Sequence, residues 1–192
     1  MRIHYLFFIA FPFFFISCNS TTTTQEDKAT PPTATLSVIS KLNDSATKQL
    51  TNLLTNYYVL KDALVASSAE KANVAAQTFA TSIDNFSNVI KTDTAINKTV
   101  ALYLDTIKTV TSIIITAKSN KIEEIRGQFA KISGPMFALC RKTELKNAGV
   151  YFQHCPMAFD TGANWLSNVS EIKNPYYGDK MLDCGDVADS LK

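Results

Sequence analysis

The placement of glycine and proline limits what this chain can fold into. All six glycines lie at or after Gly127, and no proline occurs between Pro32 and Pro135. These two residue types most often interrupt regular structure, so residues 33–126 lack the usual breaks. Because the apolar residues there recur every three or four positions, the sequence predicts long helices rather than strands.

Four stretches carry this helical spacing and predict four helices. They cover residues 36–64, 72–90, 96–114 and 122–139. The short connections between them favour an antiparallel up-and-down four-helix bundle. We therefore expect an all-α fold, with a loop-rich C-terminal Cys-Pro-Met/Cys-Gly tail packed on the bundle.

Local signals predict where the helices begin and end. Ser67 with Glu70, and Asn120 with Glu123, match the N-terminal capping pattern in which the cap and the third helical residue exchange hydrogen bonds. Pro135 predicts a kink or an end in the fourth helix, because proline lacks an amide hydrogen and collides with the preceding turn.

The composition excludes several classes of function. The chain has 19 basic and 17 acidic residues and a formal net charge of +2, too weak a field to gather nucleic acid along a groove. It has no glycine-rich phosphate loop, no His-Glu-x-x-His motif and no nucleophile elbow with a Ser-His-Asp order. We therefore expect no nucleic acid or nucleotide partner and no enzymatic activity.

The N-terminal residues predict an exported, lipid-anchored protein. Residues 1–17 combine Arg2 with a long apolar run, which is the organisation of a signal peptide. Cys18 follows in a sequence that resembles a bacterial lipobox, although Phe15 stands where leucine is usual; cleavage by a general signal peptidase and a retained anchor are the alternatives. Residues 18–34 are polar and predict a flexible tether. The expected location is the cell envelope, as a periplasm-facing or outer-membrane lipoprotein of a Gram-negative bacterium that is attached to the membrane through Cys18.

Sulfur-containing residues are concentrated after the predicted bundle. We expect the bundle over residues 35–143 and a loop-rich segment over residues 144–192, with an extended stretch at residues 150–153. The candidate ligands in that segment are His154, Cys155, Met157, Met181 and Cys184. Thiolate and thioether ligands select Cu(I) and Ag(I) over hard cations, whereas thiolate with imidazole also suits Zn(II). A turn predicted at residues 174–178 brings the last two candidates back toward the first ones.

The same cysteines are also suited to a disulfide. Cysteine pairs in an oxidising compartment often form bridges, and a Cys155–Cys184 bond would close a loop of about thirty residues and stabilise the fold by roughly 3 to 4 kcal/mol. Lipidation of Cys18 leaves an odd number of thiols, so one must stay unpaired. Cys140, on the apolar face of the fourth helix, is expected to be buried and inert. Spacing alone leaves a disulfide, a soft-metal site and unpaired structural thiols open.

Several motifs resemble a known family. They are Tyr57-Tyr58, Leu60-Lys61-Asp62-Ala63-Leu64-Val65, Phe129-Ala130-Lys131-Ile132-Ser133, Cys155-Pro156-Met157-Ala158, Gly162-Ala163-Asn164-Trp165-Leu166-Ser167, Ile172-Lys173-Asn174-Pro175-Tyr176-Tyr177-Gly178, and Met181 with Cys184-Gly185. The family is the uncharacterised helical domain of Bacteroidetes periplasmic lipoproteins, which is also appended to membrane-fusion subunits of copper and silver efflux systems. The resemblance covers about residues 45–187. The Cys-Pro-Met and Cys-Gly elements are also similar to small heavy-metal-binding modules of those pumps, but the second Cys-x-x-Cys half of the modules is missing. The resemblance implies periplasmic heavy-metal handling, with metal-efflux membrane-fusion proteins as candidate partners.

These observations lead to two hypotheses. The first is a non-enzymatic periplasmic lipoprotein that binds or passes on Cu(I) or Ag(I), with Cys155, Met157 and Cys184 as the leading ligands. Met181 or His154 completes the coordination shell. The alternative is a structural or protein-interaction bundle whose tail is held by a Cys155–Cys184 disulfide.

Overall fold

A computed structural model of the protein describes residues 36–91 and 97–192. The predicted signal peptide at 1–17, the lipidation site Cys18 and the tether at 18–34 lie outside the described residues. Four helices form a bundle in which each helix packs on the next one along the chain. They are α1 (Asp44–Val65), α2 (Ala69–Ile90), α3 (Asn97–Ala117) and α4 (Ile122–Lys142). The prediction of a four-helix bundle is confirmed.

The predicted apolar stripes form the core of the bundle. Leu53, Phe79, Ile107 and Phe129, one from each helix, are fully buried. The ring of Tyr57 stacks on that of Phe129 with centroids 5.0 Å apart, which joins α1 to α4. Each such side chain contributes roughly 1.5 to 3 kcal/mol when it leaves water, so packing between the helices is the main source of their stability.

Helix α1 begins later than the sequence predicts. Leu36 and Ile39, which start the predicted apolar stripe, are exposed. The amide of Ile39 donates to the carbonyl of Lys146 at 3.2 Å, so this segment pairs with the chain after α4 instead of continuing the helix. The helix starts after Asn43, whose Oδ1 accepts a hydrogen bond from the amide of Ala46 at 2.9 Å.

Both predicted capping boxes are wrong. The cap of α2 is Ser68 and not Ser67, since Oγ of Ser68 accepts from the amide of Lys71 at 3.3 Å. Ser67 takes a left-handed conformation with φ of 51° in the turn before the helix. The residue before α4 is Lys121, which makes no side-chain cap, so Asn120 does not start that helix.

Helix α4 continues through Pro135 to Lys142, so the proline does not end it. A proline inside a helix removes one hydrogen bond and costs about 3 kcal/mol. The carbonyl of Lys131 loses its helical partner in this way. Met136 and Phe137, directly after the proline, are buried in the core, and this burial offsets the cost.

The C-terminal segment contains a three-stranded antiparallel sheet, so the prediction of an all-α fold with a loop-rich tail is wrong in this part. The strands are β1 (Val150–Cys155), β2 (Ala163–Ser167) and β3 (Asp186–Leu191), in the order β2-β1-β3. Strand β1 confirms the extended stretch predicted at residues 150–153. Strand β2 is short and β3 is mostly exposed, and neither shows the alternation of apolar and polar residues that marks a strand in a sequence.

Two tyrosine hydroxyls form hydrogen bonds with the backbone at the outer edge of β2. The hydroxyl of Tyr57 accepts a hydrogen bond from the amide of Leu166 at 3.1 Å and bonds to Oγ of Ser133 at 2.7 Å. The hydroxyl of Tyr176 donates to the carbonyl of Asn164. Burial raises the pKa of both tyrosines, so both hydroxyls stay protonated. These bonds satisfy backbone groups that an edge strand would otherwise leave unpaired, and the bond to Tyr57 attaches the sheet to the bundle.

Candidate functional site

The structure brings Cys155 and Cys184 together. Cys155 is the last residue of β1 and is fully buried, whereas Cys184 lies just before β3 and is partly exposed. Their Sγ atoms are 3.0 Å apart, and both thiols are free. We refer to this pair as the dithiol site.

The loop before β3 can approach β1 closely because of Gly185. This residue has φ of 142°, and a Cβ atom there would lie 2.6 Å from the carbonyl oxygen of His154 and 2.9 Å from the ring of Trp165. A side chain at this position would therefore push the loop away from β1. The side chain of Asn174 also holds the loop, because its Nδ2 donates to the carbonyl of Cys184 at 2.9 Å.

Trp165 is fully buried next to the dithiol site. Trp165 in β2 pairs with Gln153 in β1, and Ala163 in β2 pairs with Cys155 in β1. The two pairs are two positions apart, so Trp165 and Cys155 lie on the same face of the sheet. The indole packs edge-on against Tyr176, with centroids 5.9 Å apart. Since this is the only tryptophan in the sequence, its fluorescence reports on the site.

The two candidate methionines lie on turns that flank the cysteines. Met157 follows Cys155 closely and is 57% exposed. The carbonyl of Met157 accepts a hydrogen bond from the hydroxyl of Tyr177 at 2.6 Å. The carbonyl of Met181 accepts from the amide of Cys184 at 3.2 Å, in the last turn before β3. The dithiol site itself therefore consists of the two cysteines, with thioethers close to them along the chain.

The structure does not bring His154 to the dithiol site. Successive residues of a strand point to opposite faces of the sheet, so the imidazole lies on the other face from Cys155. Its Nδ1 is 2.9 Å from Oδ1 of Asn164. In the part of the chain that the structure describes, no group of three or more His, Cys, Asp or Glu side chains is arranged to hold a metal ion.

The thiol of Cys184 is protonated at neutral pH. The hydrogen bond with Cys155 is the main reason why the pKa of Cys184 is raised above its usual value, and burial adds to the effect. Cys140 is a separate thiol that is fully buried in α4, and burial raises its pKa to about 12. A metal that binds to Cys184 must therefore displace its proton.

Arg126 connects the bundle to the C-terminal segment and is a residue that sequence reasoning missed. It is buried in α4, and its Nε donates to the carbonyl of Pro175 at 2.8 Å. Its Nη2 donates to the carbonyl of Leu64 at 3.0 Å and to Oγ of Ser67 at 2.9 Å. Gly178, which has φ of 54°, packs against the guanidinium group of Arg126. A Cβ atom at this position would lie 2.9 Å from Nη2 of Arg126. Arg126 thus holds together the end of α1, α4 and the loop that leads to Cys184.

One family model matches this chain. It is described as a protein of unknown function (DUF3347), and it covers residues 53–148, which is half of the sequence. The match starts within α1 and stops just before β1, so it confirms an uncharacterised helical domain over residues 53–148 and does not include the C-terminal motifs. No curated protein and no solved structure matches the chain significantly. The chain therefore belongs to the DUF3347 family of proteins of unknown function.

Proposed function

We propose that the reduced dithiol site binds one Cu(I) or Ag(I) ion and that the protein is a non-enzymatic metal-binding protein of the cell envelope. The observation that supports this proposal is the 3.0 Å approach of the Cys155 and Cys184 sulfurs, which come from different segments of the fold. Thiolates are soft ligands that select soft monovalent ions. Cys155 is buried and Cys184 is partly exposed, so we expect an ion held between them to be accessible from the side of Cys184.

The number of ligands favours a monovalent ion over Zn(II). Structural zinc sites use four ligands, whereas Cu(I) and Ag(I) accept linear coordination by two thiolates. A thioether is also available from Met157 or Met181, since flexible methionine side chains adapt to irregular sites. His154 is not part of the proposed ligand set, because its imidazole lies on the other face of the sheet.

The proposed location and partner follow from the N-terminal sequence and the family resemblance. A lipid on Cys18 and a tether over residues 18–34 would hold the bundle near the membrane surface, within reach of a metal-efflux membrane-fusion protein. The partial exposure of Cys184 supports transfer to such a partner. A thiolate or thioether of the partner would displace Cys184 first, while the buried Cys155 still holds the ion.

A competition titration tests the proposed metal site. The mature protein, kept reduced, is expected to take one Cu(I) from a coloured chelator and to change its Trp165 fluorescence. Cys155→Ser and Cys184→Ser should each weaken binding by at least about 100-fold. Loss of a residue that only supports a ligand costs up to about 100-fold, and each of these variants removes a ligand itself. Cys140→Ser is the matched control and should bind normally. Met157→Leu should weaken binding less, with an unchanged circular dichroism spectrum. Absence of uptake by the reduced protein, or an equal loss in the control, would contradict the proposal.

The affinity for Cu(I) is expected to rise with pH. Metal binding releases the thiol protons, so acid competes with the ion and lowers the affinity. The pKa of Cys184 is raised by its hydrogen bond with Cys155. The increase should therefore continue above about pH 8.5, where an ordinary thiol is already half ionised. The same titration repeated from about pH 6 to pH 9.5 measures this slope, and an affinity that does not depend on pH would rule out thiolate ligands.

The same short distance supports a second candidate function. If an oxidant of the cell envelope accepts two electrons and the two thiols lose their protons, Cys155 and Cys184 form a disulfide with a bond of about 2.05 Å that fixes the loop before β3 to β1. Thiol titration separates the two functions. If the disulfide is the native state, protein that lacks the signal peptide and Cys18 and is purified without reductant would show only the Cys140 thiol after unfolding. Its reduced form would take no Cu(I) from the chelator.

A further inference from the structure

A small cavity lies between the N-terminal half of α4 and two short 3-10 helices, Ala158–Asp160 and Gly178–Lys180. It has a volume of about 230 Å³, which is below the 300 to 1,000 Å³ of pockets that hold drug-sized ligands. Three aromatic and three charged side chains line it: Phe159, Tyr176, Tyr177, Glu123, Arg126 and Lys180. Any ligand of this cavity must be small and must suit both kinds of wall.

Arg126 lines this cavity and has a donor group that makes no hydrogen bond among the described residues. Its Nε atom donates to the carbonyl of Pro175, and its Nη2 atom donates to the carbonyl of Leu64 and to Oγ of Ser67. Its Nη1 atom makes no hydrogen bond among the described residues and has a single ionic contact, 3.7 Å from Oε1 of Glu123. That distance is too long for a hydrogen bond. A buried guanidinium therefore keeps an N–H group available to a ligand, with Lys180 as a second cation in the same lining.

The aromatic wall includes a residue on an unusual backbone. Phe159 and Asp160 both have left-handed conformations, with φ of 54° and 63°. Residues other than glycine rarely adopt this conformation, and it is concentrated at functional sites. It places the Phe159 ring edge-on against Tyr176 at 5.3 Å while leaving the side chain 46% exposed. Phe159 also lines an adjacent groove of about 750 Å³ on α3 and α4, so a longer ligand has room to extend past it.

We propose that this cavity binds a small carboxylate that has a planar apolar body. The carboxylate would accept hydrogen bonds from Nη1 of Arg126 and from the ammonium group of Lys180, and the body would lie among the three aromatic rings. Arginine and carboxylate groups have matching geometries and form strong, charge-assisted hydrogen bonds. The carboxylate of Glu123, 3.7 Å from Nη1 of Arg126, would compete with the carboxylate of the ligand for this guanidinium group. This site is independent of the metal proposed at the dithiol.

Benzoate and benzamide provide a matched pair of probes, because they share shape and size but only benzoate carries a charge. We expect calorimetry to show saturable binding of benzoate to the reduced mature protein and no measurable binding of benzamide. Benzoate should also shift the Nε–Hε NMR signal of Arg126. Equal binding of the two probes, or no saturable binding of benzoate, would overturn the proposal.

Variants of exposed residues test the proposed contacts without removing Arg126, which the fold needs. Glu123→Gln should lower the Kd of benzoate severalfold, because the competing carboxylate is lost. Glu124→Gln is the control, since Glu124 makes the same charge change but bonds to Ser119 and Lys121 instead. Lys180→Met should raise the Kd severalfold. If Glu123→Gln and Glu124→Gln have the same effect, general surface charge and not this cavity determines binding, and the proposed site is wrong.

Discussion

Leu53→Asp is expected to leave the protein unfolded at room temperature. Leu53 is fully buried in α1. Loss of such a side chain costs roughly 2 to 5 kcal/mol, and a carboxylate buried without a partner adds further cost. Domains of this kind have total stabilities of only about 5 to 15 kcal/mol, so the substitution removes most or all of the margin. Circular dichroism at 222 nm during a thermal melt measures the result.

Asn52→Asp is the matched control for this substitution. It places the same new side chain one position earlier in α1, where residue 52 is exposed. Surface changes of this kind are usually within about 0.5 kcal/mol of neutral. A normal melt for both variants would show that the stripe containing Leu53 does not face the core.

Arg126→Met should destabilise the protein by about 3 to 5 kcal/mol while keeping the helical circular dichroism signal at low temperature. Methionine is similar in length but cannot donate, so the carbonyl of Pro175 loses its partner and the carbonyl of Leu64 keeps the amide of Ser67. Hydrogen bonds to a charged group contribute roughly 1.5 to 3 kcal/mol each, and unsatisfied buried acceptors carry a further cost. Urea unfolding followed by Trp165 fluorescence measures the change in the free energy of unfolding.

Arg141→Met serves as the comparison for Arg126→Met. Arg141 lies near the other end of α4, is exposed and has a 3.6 Å ionic contact with Asp189. Surface ion pairs contribute about 0 to 1 kcal/mol, so this variant should be nearly as stable as the natural protein. Equal losses for the two arginines would mean that Arg126 does not connect the bundle to the C-terminal segment.

The helices could be predicted from the sequence because their apolar faces repeat over many turns. The helix limits could not, since they depend on contacts between distant residues. Ser67 and Ser68 are equally good caps by composition, but the hydrogen bond from Arg126 holds Ser67 in the turn and leaves Ser68 to cap α2. Leu36 and Ile39 continue the apolar spacing, yet the segment pairs with the chain after α4.

The site was only partly predictable for a similar reason. The turn at residues 174–178 predicts that Cys184 returns toward Cys155, and the structure places the two sulfurs in contact. The position of His154 depends on the strand continuing through Cys155, and the sequence predicts an extended stretch only as far as residue 153. The connecting role of Arg126 has no local signal, because its hydrogen-bond partners are at least 49 positions away in the sequence.

The hydrogen bond between Tyr57 and Leu166 has a consequence for the order of folding. The two residues are 109 positions apart, one in the first helix and the other in the second strand. Contacts between residues so distant in the chain form slowly, whereas a pair of neighbouring helices needs only local contacts. During folding, the four helices can therefore associate before the sheet forms, while the hydroxyls of Tyr57 and Ser133 are buried in an otherwise apolar interior. Folding is complete only when β2 packs on the bundle and the amide of Leu166 donates to Tyr57.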